Sequence, residues 1–399
     1  MYEVGDLFDK RSVVGARLEE ILSEQGYSKS KFCKMCGISR PTIDKLLSGN
    51  LTSKANFEKH VSKILNALSL TPDMLLGRAI NVYTKVREIR TILHIKEEDI
   101  TGATSITLKR LREIEAGDSA TKAELRDIAT CLGTSTSCID GSYFFPPQVS
   151  RPELILDVYS GDRDRNVMSG FWGHLGIQPV HSDTFLWYPI TDHTYDLLCE
   201  RMEKPRLVVP CMNNKLLYLN PQNINNICLL EDARDAPGFA NWDPAVGEGE
   251  IPLVVYETLG DFLYYSEINE TPPADVISPA LFDFLKDLIR EKAWTEDYIA
   301  DITQEIMIRY NDGNTLTNGI DFYNDNGIID EIDMVYEFGE PIGREKYVYF
   351  RDHDEAITFI NTDNISVIEL PLVQTEAAIY RGQVDALEEN NKSLETEDD

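Results

Sequence analysis

In a chain of 399 residues, the side chains whose type and spacing could do chemistry lie between positions 29 and 50. Ser39, Arg40, Pro41, Thr42 and Lys45 fall on the outer side of a helical pattern whose inner side carries Ile43 and Leu46. An arginine there can donate a bidentate pair of hydrogen bonds to guanine, and a lysine reaches a base or a phosphate. Lys29, ten residues before Ser39, stands where a second helix would begin, a position suited to a phosphate oxygen. Asn50 and Lys54 follow in a loop that can touch the nucleic-acid backbone. The chemistry this set describes is recognition, not bond-breaking.

Catalytic patterns find no comparable support. Cys33-Lys34-Met35-Cys36 is a CxxC without a second pair at zinc spacing. Asp321 to Gly327 resembles a calcium loop only loosely, because Phe322 occupies its first ligand position; a turn followed by a strand is expected there. The six histidines are isolated, with His174 and His353 the two that could touch a ligand, and no Walker loop, GxGxxG or GxSxG occurs. We read no catalytic constellation, no metal, no cofactor and no enzyme.

The elements that would position the recognition face are legible. A first helix from about Val13 to Gln25, capped by Ser12, turns Val14, Leu18, Ile21 and Leu22 to one side. Ser28 can cap a short second helix that buries Phe32 and Cys33. Gly37 supplies the sharp turn, where a left-handed backbone favours glycine. Ser39 then caps the third helix, Gly49 ends it, and a fourth helix points Phe57, Val61, Ile64, Leu65 and Leu68 inward.

The pattern recurs. With Tyr27 placed above Ile95, the register holds without a gap for 23 residues at an offset of 68: Phe32 meets Ile100, Ser39 meets Thr107, Ile43 meets Leu111 and Gly49 meets Gly117. The second set begins with Val82, Val86, Ile89 and Leu93, presents Thr107, Leu108, Lys109, Arg112 and Glu113, and ends with Leu125, Ile128, Ala129 and Leu132. It departs from the first at Ser105, in place of the turn glycine, and at Glu97, in place of Lys29. The segments Gly26 to Gly49 and Ile95 to Gly117 resemble the phage-repressor-like helix-turn-helix family, often called XRE. The resemblance implies a five-helix domain that binds operator DNA, usually as a dimer. It places Ser39, Arg40, Pro41 and Lys45 on base-reading positions of the first copy, and Thr107, Leu108, Lys109 and Glu113 on those of the second.

Charge divides the chain. The total is −30, but residues 1–150 sum to about +2 and residues 151–399 to about −32. A near-neutral head can present a basic face to duplex DNA, whereas the acidic remainder repels phosphate. Seven scattered cysteines fit reduced thiols in a cytosol. No run of 18 apolar residues or secretory leader is present, so no membrane partner is expected and the location is read as cytoplasmic.

The remainder reads as an α+β body. Leu216–Ile227 aligns with Ile357–Ile368 at an offset of 141, each a strand, an Asn-centred turn and a strand. Another strand precedes each, Arg206 to Pro210 and Lys346 to Phe350, and helical material precedes that, Thr194–Met202 and Ser278–Tyr310. The pattern weakly resembles a small Sm-like sheet occurring twice, implying oligomer or partner contacts; the two copies could also pair inside one chain. The expected division is therefore two all-α helix-turn-helix domains (1–78 and 79–141), a stiff connector after Gly141, an acidic α+β domain (142–387) with repeats at about 185–231 and 278–372, and a disordered acidic tail (388–399). The function read from this is a DNA-binding regulator, a repressor, acting as a homodimer or higher homo-oligomer, whose acidic part oligomerises or senses an effector or protein partner. The alternatives are a protein-interaction module, such as an antitoxin or phage-defence adaptor, and an RNA-binding regulator.

Overall fold

A computed structural model describes residues 4–11, 14–15, 18, 22, 29–51, 53–68, 72–75, 82–150, 168–232, 238, 241–242, 249–268, 270–324, 326–339 and 346–383. The expected helix cap at Ser12, the inward Ile21, the linker 77–81 and the tail 388–399 lie outside them.

Nine α-helices precede the first strand among the described residues. They are α1 (Lys29–Cys36), α2 (Arg40–Leu47), α3 (Lys54–Leu68), α4 (Pro72–Leu75), α5 (Val82–Ile92), α6 (Glu97–Ala103), α7 (Leu108–Glu115), α8 (Lys122–Leu132) and α9 (Thr136–Asp140). Residues 14, 15, 18 and 22 are helical as well. Val14, Leu18, Leu22, Phe32, Ile43, Leu46, Phe57, Val61 and Ile64 form one buried core, as their 3.6-residue spacing requires.

The chain divides into two compact units. One holds residues 1–88, 107–120 and 139–141; the other holds 89–106, 121–138 and 142–399. The expected boundary at 141 does not coincide with this division, and the second helical set is not a body of its own. The reason lies in α8. Arg126 and Asp127 are buried there, and buried charges require partners. Arg126 donates to Asp261 Oδ2 (2.7 Å) and to the carbonyls of Val276 and Glu257, while Asp127 accepts from Ser278 Oγ at 2.6 Å. All those partners belong to the body. The Ser-Tyr-Phe-Phe stretch expected as a connector is packed too: the amides of Phe144 and Phe145 both donate to Glu376 Oε1 (2.9 Å).

The body contains β1 (Phe171–Pro179), β2 (Leu186–Thr191), α10 (Asp192–Arg201), β3 (Leu207–Cys211), β4 (Lys215–Leu219) and β5 (Ile224–Glu231), then helices α11 (Leu253–Glu267), α12 (Pro279–Glu291) and α13 (Glu296–Gln304). After them come β6 (Glu305–Tyr310), β7 (Thr315–Gly319), α14 (Gly327–Phe338), β8 (Tyr347–Arg351), β9 (Ile357–Asn361), β10 (Ile365–Pro371) and a helical segment over residues 372–383. The topology is duplicated. In each copy the first strand pairs antiparallel with the second and the fifth, the third pairs with the fourth, and a helix stands between the second and third. A 3₁₀ turn joins the fourth strand to the fifth, capped by Asn220 in one copy and Asn361 in the other. Even the register shift recurs, between Ile224 and Asn226 in one copy and Ile365 and Val367 in the other.

The repeat therefore runs from 171 to 231 and from 305 to 371, not from 185 and 278. Residues 305–310, expected as helix, form β6: Ile306 and Ile308 alternate inward with period two. Helices α12 and α13 lie outside the repeat. The turn at Asp321–Asn324 leads into α14 and not into a strand.

One strand pair joins the copies. β4 of the first pairs with β10 of the second, giving a five-stranded sheet in the order β3-β4-β10-β6-β7. Glu369, buried in β10, accepts from Tyr188 of β2 (2.8 Å) and Arg309 of β6 (3.0 Å), and lies 3.7 Å from Lys215 of β4. Glu369→Ala strands these donors without their acceptor. It is expected to cost about 2–3 kcal/mol in urea unfolding of the body, and Glu369→Gln, which keeps one acceptor, is expected to cost less.

Candidate nucleic-acid interface

The third helix of the first set, α2, is two-sided. Ile43, Leu46 and Leu47 are buried, while Ser39, Arg40, Pro41, Asp44, Lys45 and Asn50 are exposed and Thr42 is half-buried. Gly37 sits at φ +62, the left-handed turn that glycine tolerates without strain. Proline is the second residue of α2, where a missing amide costs no helical hydrogen bond. Ser39 occupies the cap position, with its carbonyl accepting from the amides of Thr42 and Ile43 at 3.0 Å. Its hydroxyl does not cap the helix; it bonds the Thr42 hydroxyl at 2.8 Å, so these two expected contact residues hold each other on the outer face.

Two features of this face were not foreseen. Lys29 Nζ lies 3.5 Å from Asp44 Oδ1, so the lysine expected on a phosphate is tied to an acid of the neighbouring helix. Both side chains are well exposed, and such a pair is weak and open to competition. Gly15 is the second. A Cβ built there would stand 2.2 Å from the Leu47 carbonyl oxygen and 2.7 Å from that of Leu46, so the preceding helix touches the C-terminal end of α2 backbone to backbone. Glycine within a helical pattern is the one signal that pointed to this approach. Arg40 and Lys45 make no ion pair among the described residues.

The second set is built differently. Ser105 needs no left-handed backbone: Thr104, extended at the end of α6, donates from its hydroxyl to the Ile100 carbonyl (2.8 Å) and accepts from the Ile106 amide (3.2 Å). A threonine side chain thus closes a turn that glycine closes in the first set. Thr107 caps α7 by accepting from the Arg110 amide. Leu108, Lys109 and Arg112 are exposed, but Lys109 lies 3.5 Å from Glu113 and Glu97 pairs with Arg90 at 3.7 Å. Moreover, α6 and α7 belong to different compact units.

The cysteines of the CxxC fall on α1. Burial, with Cys33 adjacent, pushes the Cys36 thiol up to about 11, which leaves it protonated and unreactive at neutral pH. His174 is buried in β1 against Trp242, with ring centroids 4.4 Å apart.

The body holds a cavity of about 590 Å³ between α8, α9, α11 and the helical segment 372–383. Lys122, Arg126, Glu257, Asp261, His353, Glu376 and Arg381 line it together with Phe322, Tyr323 and Tyr380. Burial would raise the Asp261 carboxyl, but Lys122 and Arg126 outweigh it and hold the group low. Glu376 goes the other way. Burial raises it to about 7, although Ser137 Oγ (2.7 Å) and the amides of Phe144 and Phe145 donate to it. Arg126 Nε is buried and has no hydrogen-bond partner among the described residues.

Comparison with known families adds one likeness. The profile of the Cro/C1-type helix-turn-helix DNA-binding domain matches residues 17–78, which contain α1 to α3 and the Arg40–Lys45 face. This part of the chain is a helix-turn-helix domain of the DNA-binding kind, and the chain as a whole carries it ahead of a mixed helix-and-sheet body. No curated protein and no solved structure matches the chain. No helix among the described residues is long and apolar enough to cross a membrane.

The cavity carboxylate makes stability depend on pH. Between the ordinary glutamate range and pH 7 the unfolded chain has released the Glu376 proton while the folded chain keeps it, so stability falls as pH rises through that window, by on the order of 3 kcal/mol. Urea midpoints measured from pH 4.5 to 8 are expected to decline. In Glu376→Gln, where the amide oxygen still faces the two backbone donors, this component of the decline is expected to vanish.

Proposed function

We propose that this chain is a cytoplasmic transcriptional regulator, a repressor, that reads operator DNA chiefly through α2 of the first helix-turn-helix domain and acts as a homo-oligomer. The observation that carries this reading is the two-sided α2: a short helix packed by Ile43, Leu46 and Leu47 with Arg40 and Lys45 exposed on its outer side and in no ion pair among the described residues, within the segment similar to Cro/C1-type domains. In such a domain that helix enters the major groove. The charge division supports it, because an acidic body leaves phosphate contact to the head.

On this reading the second set, α5 to α8, is a further helix-turn-helix copy kept as an auxiliary contact through Thr107, Leu108, Lys109 and Arg112, or as a packing surface. Its Lys109 already has an acidic neighbour in Glu113, which weakens it as a reader. The two body copies are Sm-like units; the fifth strand of each returns to its first across a 3₁₀ turn, which supports that reading. The cavity is the place for a small-molecule effector. It is lined by α8 and α9, which continue directly in sequence from α7, so a ligand there would act on the chain that leads to the DNA-binding part. We assign the protein no catalytic activity.

A protein-interaction role is the second reading. About −32 on residues 151–399 suits neutralisation of a basic protein partner, with the head serving as an adaptor. An RNA-binding role is disfavoured by the same charge.

The test is genomic footprinting at two salt concentrations, followed by titration of the sites found. Arg40→Ala is expected to weaken binding to those sites by about 1–3 kcal/mol and to relax preference at one base pair; unchanged affinity rules out base reading by Arg40. Asp44→Asn releases Lys29 to phosphate. It is expected to tighten binding to arbitrary duplexes and to steepen the dependence on salt by about one counterion. A flat response would show that Lys29 faces no phosphate.

A further inference from the structure

In the cavity of the body, the acids and the cations do not share the hydrogen bonding equally. Each carboxylate of the lining already accepts from the protein. Glu257 takes the Thr136 amide (3.0 Å) and hydroxyl (2.6 Å). Asp261 takes Lys122 and Arg126, both at 2.7 Å, and Glu376 takes Ser137 Oγ and the amides of Phe144 and Phe145. The cations keep donors in reserve. Lys122 spends one N–H on Asp261, and Arg381 spends Nη2 on the Phe322 carbonyl at 2.8 Å. Their other N–H groups, Arg126 Nε and the Tyr380 hydroxyl have no acceptor among the described residues.

Other parts of the wall are apolar or aromatic: Ile320, Phe322, Tyr323, Val373 and Tyr380. The Arg381 guanidinium lies 4.9 Å from the centre of the Tyr323 ring, and Tyr323 is 86% exposed, so a cation and an aromatic face stand together on the solvent side of the cavity. A volume of about 590 Å³ suits a small organic molecule. Spare donors select a ligand that brings acceptors, and hydrogen bonds to an ionised acceptor are the stronger kind. A cationic ligand would instead meet carboxylates that are already engaged.

We propose that the cavity binds an aromatic carboxylate, its anionic group on the free donors of Arg381 and its ring against Phe322, Tyr323 and Tyr380, with Lys122 adding a second positive charge. This rests on the reading of the cavity as an effector site and supplies the chemistry of the effector. The planar fork of arginine matches a carboxylate with two parallel N–H bonds. Glu376 couples the site to protons. It is faced by the Ser137 hydroxyl of α9, the amides of Phe144 and Phe145, Glu257 of α11 and Tyr336 of α14. Lys122 and Arg126 of α8, Asp261 of α11, His353 and Arg381 share its cavity. Burial raises the Glu376 carboxyl to about 7, and a second anion in the same cavity favours the neutral form further. Binding therefore takes up a proton and tightens as pH falls through that value.

The test is calorimetric titration of the full-length protein with naphthoate, naphthylmethylamine and naphthalenemethanol, the same ring isomer in each, which differ in charge at nearly constant shape. Naphthoate is expected to bind at least about tenfold more tightly than the amine or the alcohol. Arg381→Met is expected to weaken naphthoate about ten- to hundredfold, and Arg381→Lys, which keeps the charge, to weaken it less. Arg381 also holds the Phe322 carbonyl, so circular dichroism checks the fold of both variants. Lys122→Met changes a side chain that is 55% exposed and is expected to weaken naphthoate by a smaller factor. From pH 8 to pH 6 the wild-type affinity is expected to rise, while Glu376→Gln is expected to hold the tighter affinity throughout. Tighter binding of the amine or the alcohol discards the anion and keeps the cavity as an effector site. Naphthoate affinity that neither Arg381→Met nor Lys122→Met changes discards this seat for the anion. No binding of any of the three at millimolar concentration discards the effector site as well.

Discussion

The pairing of β4 with β10 is the constraint on which the body depends. It fuses two small sheets, each made of strands too few to cover their own faces, into one five-stranded sheet with helices against it. Burying Glu369 in that junction is costly in isolation. It is offset because Tyr188 and Lys215 come from one copy and Arg309 from the other, so the carboxylate is satisfied only when both copies are in place. A buried polar group of this kind favours one register over its neighbours. Burial and the Glu369 charge together drive the Tyr188 hydroxyl and the Cys211 thiol well above their ordinary values, so both stay neutral beside it.

A second set of buried charges ties α8 to the body. Arg126 and Asp127 cannot be left unpaired in an apolar setting, and their partners Asp261 and Ser278 are more than a hundred residues away in sequence. The amphipathic spacing of α8 marks it as a helix but says nothing about which unit claims it. That is why a division drawn from repeated helix patterns ends at 141, while the folded chain draws it through the second helical set. The same logic places Phe144 and Phe145, which read as part of a stiff connector, against Tyr336 and Glu376.

Much of the head was legible. The inward positions Phe32, Ile43, Leu46, Phe57 and Ile64 follow from helical periodicity, and the Gly37 turn follows from the residue that accepts its backbone angle most readily. The outer face of α2 follows from the inner one. The pairing of Lys29 with Asp44 was not legible, because it depends on the angle between two helices. In the second set Ser105 stands in place of the turn glycine, and a threonine hydroxyl closing the turn shows that local side-chain hydrogen bonding can replace backbone freedom.

The sequence by itself determined the local and periodic features: helical faces, the first helix-turn-helix, the division of charge, and the existence of a repeat through its matched Asn turns at 220 and 361. These depend on neighbours a few residues apart, where spacing and geometry coincide. Only the tertiary structure decided the true extent of the repeat, the capture of α8 by the body, the cavity, and which strand edges are used or left open. Those depend on meetings between distant segments, whose outcome is set by the pairing of buried polar groups and exposed strand edges in three dimensions and not by any spacing along the chain.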